Sequence, residues 1–329
     1  MIIMNFAFGV DIGGTNTEIG LVNEHGCIVH RKTIPTIKQD KSWNDYFLRL
    51  AKNFKEIIYN ESNVNVSGVG IGAPNASHLT GIIQSPPNIA FGDVHLPSSL
   101  KKFIDLDVKL TNDANAAALG ENMFGYGKKM KNFVVITLGT GLGSGIFING
   151  ELLVGHRGYA GEIGHIVIDP NGRICDCGKA GCLEMYSSSK GLLKTIKEYH
   201  KKNPEDKTIN SIIKYLRYND DVPYVDGKML DKAFDDGDKA VREIYRYTGK
   251  MLGRGLGIAS MILEPEAFIF YGGISCAGDR LLNWVRHEID DNLLPFQRGS
   301  ISILESKLNH GEAGILGSAS LVFNDIKEY

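Results

Sequence analysis

The sequence predicts an α/β protein of two lobes around a central cleft, because a long-range repeat, an amphipathic periodicity and an order of segments agree on it. FGVDIGGTNTEIGLVNEHGCIVH from Phe8 and VVITLGTGLGSGIFINGELLV from Val134 lie about 126 residues apart and share one design. Each has a β-branched strand, a Gly/Thr-rich turn, a second strand, a turn at Asn-x-x-Gly or Asn-Gly, and a third strand. Repetition on that scale suggests a duplicated domain.

The elements follow in order. The first strand begins by about Phe6 and opens the first copy. Trp43 to Glu61 then carries Trp43, Phe47, Leu50, Phe54, Ile57 and Ile58 at helical spacing, and Val66 to Gly72 is apolar enough for a buried strand. Asn112 and Asp113 ahead of AAALGE read as a helix start. After the second copy come a cysteine-rich loop, several helices, a strand at Ala267 to Tyr271, and a helix from about Asp279. A strand near Ile301 and a final helix from about Glu312 close the chain. The order βββαβα thus occurs twice. Residues 1–115, joined by the C-terminal helix 312–329, form the smaller lobe, and residues 116–311 the larger.

With 329 residues, 43% hydrophobic and 22% charged, the chain is long enough for two substantial cores. A formal net charge of −2, with Lys and Arg interspersed among acids, leaves no electrostatic footprint for nucleic acid. Apolar runs such as Met261 to Leu263 and Phe268 to Tyr271 fall far short of the roughly twenty residues of a membrane span. The N-terminus shows no basic n-region or cleavage site, so the expected compartment is cytoplasmic, where thiols stay reduced. Of the five cysteines, Cys27 and Cys276 stand apart and are expected as inert buried thiols.

HIVIDPNGRICDCGKAGCLE, from His165 to Glu184, packs one histidine and three cysteines into the spacing of a zinc site. Cys175, Cys177 and Cys182 offer thiolates on one tight loop, and His165 adds a fourth ligand if the strand and turn between them double back. Gly178 and Gly181 make so short a loop feasible, since a residue without Cβ tolerates positive φ. The competing readings are a disulfide, which a reducing compartment disfavours, and scattered free thiols. Four protein ligands close the coordination sphere, so the metal is expected to organise structure and not to activate water.

LGTGLGSG, Leu138 to Gly145, meets part of a Rossmann dinucleotide pattern through Gly139, Gly141 and Gly143. A Rossmann loop opens a helix, whereas Gly145 leads into IFINGELLV, whose Asn149-Gly150 pair signals a hairpin. A strand-turn-strand loop still cradles phosphate when successive backbone N–H groups form an anion nest. An ordinary hairpin is the alternative for either copy alone, and the Gly and Thr shared by both turns weigh against it. Asp235, Asp236 and Asp238 read as caps and solvated charge, and the glycines of MLGRGLG, Met251 to Gly257, as close helix packing.

DIGGTN at Asp11 to Asn16, NDANAAALGE at Asn112 to Glu121, LGTGLGSG, GEIGH at Gly161 to His165 with CDCGKAGCLE, and YGGIS at Tyr271 to Ser275 together resemble the ROK sugar kinases. The resemblance runs in order over essentially the whole chain. It implies a duplicated actin-like ATPase (ribonuclease H-like) fold shared with hexokinases, ATP and Mg2+ as cosubstrates, structural Zn2+, and a hexose acceptor, glucose first. N-acetylmannosamine, fructose or another hexose is the alternative acceptor, and a sugar-responsive transcriptional regulator the alternative class. Such regulators carry a helix-turn-helix domain before the first phosphate loop, for which a strand starting near Phe6 leaves no room. A homodimer or homotetramer is also implied.

By that resemblance Asp11, Gly13, Gly14 and Thr15 match the first phosphate loop, with Asp11 holding magnesium through water. Thr137, Gly139, Thr140 and Gly141 match the second loop. Gly272 and Gly273 match the adenosine motif, near which Gly314 is expected. Asn112, Asp113, Glu162, His165 and Glu184 match the positions that bind sugar hydroxyls, and Asp113 the catalytic base. In the GAPN stretch, Asn75 stands where the family has glycine. A carboxylate that accepts the 6-hydroxyl proton during phosphoryl transfer is typically worth about 10²- to 10⁴-fold. On its own Asp113 also reads as a helix cap, and Glu162 and Glu184 as surface carboxylates. The helix N-terminus is expected to help keep Asp113 ionised near neutral pH.

Overall fold

The first copy is laid down as a meander of β1 (Asn5–Ile12), β2 (Asn16–Asn23) and β3 (Ile28–Pro35), in a computed structural model that describes residues 4–36, 40–61, 64–85, 91–218, 227–309 and 311–323. α1 (Trp43–Asn60) starts where the Ser42 hydroxyl accepts from the Asp45 N–H, and it buries Trp43, Tyr46, Phe47, Leu50, Phe54 and Ile57 along one stripe. β4 (Asn65–Ala73) follows. A hairpin of β5 (Ile82–Ile83) and β6 (Val94–His95) and the single-turn α2 (Leu96–Leu100) lead to β7 (Val108–Asn112) and α3 (Asp113–Phe124).

The second copy opens with β8 (Phe133–Leu138), β9 (Leu142–Ile148) and β10 (Glu151–Leu152). After the cysteine-rich loop come α4 (Glu184–Ser187), α5 (Ser189–Lys202), α6 (Lys207–Tyr218), α7 (Gly227–Asp235) and α8 (Lys239–Leu263). β11 (Ala267–Tyr271), α9 (Asp279–Asn292), β12 (Ser302–Glu305) and α10 (Ala313–Phe323) lie within a residue or two of their expected starts. Residues 324–329 of the expected C-terminal helix lie outside the described residues.

The two sheets have the orders β3-β2-β1-β4-β7 and β10-β9-β8-β11-β12, the same permutation twice. In the first, β2 is antiparallel to β1 and β3, while β4 is parallel to β1 and β7. In the second, β9 pairs antiparallel with β10, and β11 parallel with β8 and β12. The duplication read from the sequence is therefore present in the strand topology.

The chain divides into two compact units, one of Met1–Lys131, Gly145–Gly161 and Ser306–Tyr329, the other of Asn132–Ser144 and Glu162–Glu305. In the first unit, Phe8 of β1 stacks on Phe54 of α1 at 4.4 Å. From the C-terminal segment, α10 contributes Ile315, Leu316 and Ala319 to a cluster with Ala7 and Val22. It rests directly on the strands: a Cβ at Gly9 would lie 1.9 Å from the Ile315 carbonyl oxygen, and one at Gly70 1.8 Å from that of Ser318. That contact fixes where the first turn of α10 arrives.

In the second unit, Gly249, Gly253 and Gly257 recur four residues apart on α8 and let α9 approach. A Cβ at these positions would meet the Cβ of Trp284, Glu288 and Asn292 at 2.6, 2.6 and 2.8 Å. Asp238 caps α8 through the Val241 N–H at 3.0 Å, and Asp235 pairs with Arg280 at 2.6 Å on the surface. Cys27 and Cys276 correct the expectation of buried thiols, since both are exposed. Cys27 follows the Gly26 turn at the sheet edge and Cys276 lies in a short 3-10 turn after β11, positions that face water. Among the described residues, no helix is long and apolar enough to cross a membrane.

Candidate active site

Strand register gathers the motifs of the first unit. Asp11 pairs with Gly72, Gly72 with Thr111, and Ala73 with Asn112, so Asp11, Asn112 and the adjoining Asp113 reach the carboxyl edge of parallel strands. Open α/β sheets bind ligands at that edge. The turn carrying Gly13, Gly14 and Thr15 is tied from below. Gly13 N donates to Asn16 O at 2.9 Å, the Thr36 hydroxyl donates to Gly13 O at 2.6 Å, and Thr36 N donates to Thr15 O at 2.8 Å. Thr17 joins Thr36 at 3.0 Å and the Tyr46 hydroxyl at 2.9 Å. Thr36 belongs to no motif, whereas Tyr46 could have been found as the polar-tipped member of the apolar stripe on α1.

Asn112, and not Asp113, is the N-cap of α3, its Oδ1 accepting from Ala114 N at 2.9 Å. Asp113 Oδ1 accepts from the same N–H at 2.9 Å. Asp113 is exposed, yet desolvation by the neighbouring protein raises its carboxyl above the ordinary range. Hydrogen bonds from Ala114 N–H, its own N–H and the Asn112 side chain pull the other way and are outweighed. The N–H groups of the helix start thus favour the ionised form as expected, while desolvation is the larger influence.

Burial, then the like charges of Asp113 and Glu18, push Asp11 up to about 7. Gly314, expected beside the adenosine motif, adjoins this carboxylate: a Cβ there would lie 2.3 Å from Asp11 Oδ2. Carboxylates that repel one another through oxygen donors are the chemistry a hard divalent cation satisfies, so the residues present fit Mg2+. The raised Asp11 keeps a proton that the unfolded chain releases. Its contribution to stability is present below about pH 4 and is lost as pH rises to about 7. Without magnesium, Asp11→Asn should therefore gain in melting temperature relative to the natural protein across that window; a pH-independent difference contradicts the burial.

In the second unit the two glycine loops share a support. Thr137 pairs with Tyr271 at the carboxyl ends of β8 and β11, and the loops at Gly139–Gly141 and Gly272–Gly273 follow directly. Gly272 has φ of +109° and a Cβ there would lie 2.4 Å from the Leu138 carbonyl oxygen. Around Gly139 and Gly273 a Cβ would meet nothing within 4 Å, although Gly139 N already donates to Gly141 O at 3.0 Å.

The cysteine-rich segment doubles back as expected. Ile168 N donates to Gly181 O and Leu183 N to Ile166 O, both at 2.9 Å, and Gly178 and Gly181 have φ of 88° and 78°. Free Cys175, Cys177 and Cys182 and His165 thereby converge, with ligand atoms all within 4.8 Å of one another. Cys177 and Cys182 sulfurs are 3.6 Å apart, and Cys175 Sγ is 3.7 Å from His165 Nδ1. Tetrahedral zinc with thiolate bonds of 2.3 Å has edges of about 3.8 Å, so the donor set fits that ion. The other ring nitrogen, Nε2, lies 3.9 Å from Glu162 Oε2.

Arg173, which no motif singles out, braces the loop. Its Nη1 donates to Met185 O at 2.7 Å and Gly191 O at 3.0 Å, and its guanidinium lies 4.7 Å from the Tyr186 ring centre. Glu184 Oε2 accepts from Leu142 N at 2.9 Å. Asn75 has φ of 54°, the left-handed conformation that asparagine tolerates in place of glycine.

The model of the ROK family matches residues 7–325. A glucokinase of Thermotoga maritima is 35% identical over 316 residues, covering 95% of this chain and 96% of that protein. A xylose repressor of Caldicellulosiruptor bescii is 31% identical over 98% of this chain but 79% of its own length. Among solved structures, a glucokinase from Streptomyces griseus in complex with glucose and AMPPNP superposes with a TM-score of 0.77 at 32% identity, covering 96% of this chain and 98% of that one.

Proposed function

The chain belongs to the ROK family, and from that premise we propose that it is an ATP-dependent hexose kinase, with glucose as acceptor, transferring the γ-phosphoryl of MgATP to the sugar 6-hydroxyl. The observation that carries this reading is the 35% identity to a glucokinase over 96% of that protein, together with the superposition on a glucokinase that holds glucose and AMPPNP. The α/β fold and the strand-edge motifs agree with it.

In this reading Asp113 accepts the proton of the 6-hydroxyl. Its raised carboxyl brings the base nearer to neutral pH, where proton transfer is best matched. Asn112, Glu162, His165 and Glu184 hold sugar hydroxyls, and carboxylate acceptors make such bonds strong. The turns at Gly13, Gly14 and Thr15 and at Thr137, Gly139, Thr140 and Gly141 hold phosphates through the backbone N–H groups not spent inside the turn, as those of Gly13 and Gly139 are, and Gly272 and Gly273 let adenosine approach the backbone. Asp11 would hold Mg2+, which when bound would neutralise charge on the transferring phosphoryl group. His165, Cys175, Cys177 and Cys182 hold Zn2+, which orders the loop and leaves Glu162 and Glu184 placed. With its thiols reduced, the enzyme would work in the cytoplasm, as a homodimer or homotetramer.

The test is MgATP turnover against a panel of hexoses and N-acetylhexosamines, compared by kcat/KM, where discrimination resides. Glucose should lead. A higher value for N-acetylmannosamine or fructose reassigns the acceptor, and no sugar-dependent turnover together with sequence-specific DNA binding favours a regulator.

A further inference from the structure

The segment after the last cysteine grips the second glycine loop. Glu184 lies two residues beyond Cys182, and its Oε2 accepts from Leu142 N at 2.9 Å. A Cβ at Gly141 would sit 2.6 Å from that oxygen, so the absence of a side chain there lets the carboxylate reach the backbone. Gly164, next to His165, fits against the same residue from its carbonyl side: a Cβ would lie 2.3 Å from Leu142 O. Ser189 N, at the start of α5, donates to Gly139 O at 2.9 Å.

Leu142 is thus held at its N–H by Glu184 and closely packed at its carbonyl against Gly164, and Gly139 is held by the helix that follows. A loop of Gly139, Thr140 and Gly141 is conformationally permissive, and its internal bond, from Gly139 N to Gly141 O at 3.0 Å, leaves the Thr140 and Gly141 amides to be set by ties from outside. We propose that Glu184 is a positioning residue for this loop, transmitting the order of the His165 and cysteine cluster to the amides that receive the nucleotide phosphates. This rests on the assignment of residues 137–141 as a phosphate loop made above. An ionised acceptor makes the stronger hydrogen bond, and a loop ordered beforehand spares the ligand the entropy loss of ordering it.

A residue that only held a sugar hydroxyl would leave nucleotide binding without sugar unchanged. The experiment is therefore the dissociation constant of a non-hydrolysable MgATP analogue, without sugar, on metal-replete protein whose zinc content is measured in parallel. Glu184→Ala is expected to bind about tenfold more weakly. Glu184→Asp, which withdraws the carboxylate by one methylene, should show the same loss. Glu184→Gln, whose amide oxygen can still accept from Leu142 N, should stay within about threefold of the natural protein. Thr140→Ala reports on the loop itself. Weaker binding in Thr140→Ala with none in Glu184→Ala or Glu184→Asp overturns the positioning role. Unchanged binding in all of them overturns the loop assignment, and the proposal with it.

Discussion

Asp113→Asn is expected to keep sugar affinity and lose at least about a hundredfold in turnover. The amide has the size of the carboxylate, and its oxygen can still accept from the Ala114 N–H that Asp113 engages at 2.9 Å. The start of α3 is capped independently by Asn112, so folding should be little affected. What the amide cannot do is take a proton from an alcohol. Because desolvation raises the Asp113 carboxyl, kcat/KM of the natural protein should fall on the acid side as this group protonates, and the variant should lack that limb. Steady-state kinetics with glucose and MgATP, beside calorimetric sugar binding, measure both quantities. Turnover near that of the natural protein would remove Asp113 as the base.

Cys177→Ser, or prolonged chelation, should lower stability and sugar affinity together. Cys177 is exposed, so serine there disturbs little packing and reports on the metal. Burial pushes the Cys182 thiol up to about 12 and raises Cys175 as well, so without an ion these stay neutral. A coordinated Zn2+ holds such groups as thiolates, and the binding energy of a closed site is folding energy. A fall in melting temperature of at least about 5 °C is expected. Sugar affinity should weaken about tenfold or more as His165, Glu162 and Glu184 lose a common frame. Metal analysis that finds no zinc in the purified protein contradicts this assignment.

Sequence alone revealed what is local and periodic. The apolar stripe of α1, the β11 strand, the Gly178 and Gly181 turns and the glycine spacing of α8 were all legible, because each follows from spacing along one element. β5, β6 and α2 were not, since elements of two to five residues give no periodicity to read. Thr36 under the Gly13–Thr15 turn and Arg173 behind the cysteine loop stayed hidden for another reason. Their partners, such as Gly13 at 23 positions and Gly191 at 18, are brought near only by folding. The desolvation of Asp113 escaped likewise: its helix-terminal position is local, but the surroundings that raise its carboxyl are tertiary.

The most direct test of the central claim is the site of phosphorylation when glucose and MgATP are turned over, read by phosphorus and carbon NMR of the product. Phosphorus should couple to C6 in the product of the natural protein, and that product should be lost with Asp113→Asn. Phosphate on any other carbon, or ATP consumed equally with and without sugar, would contradict it.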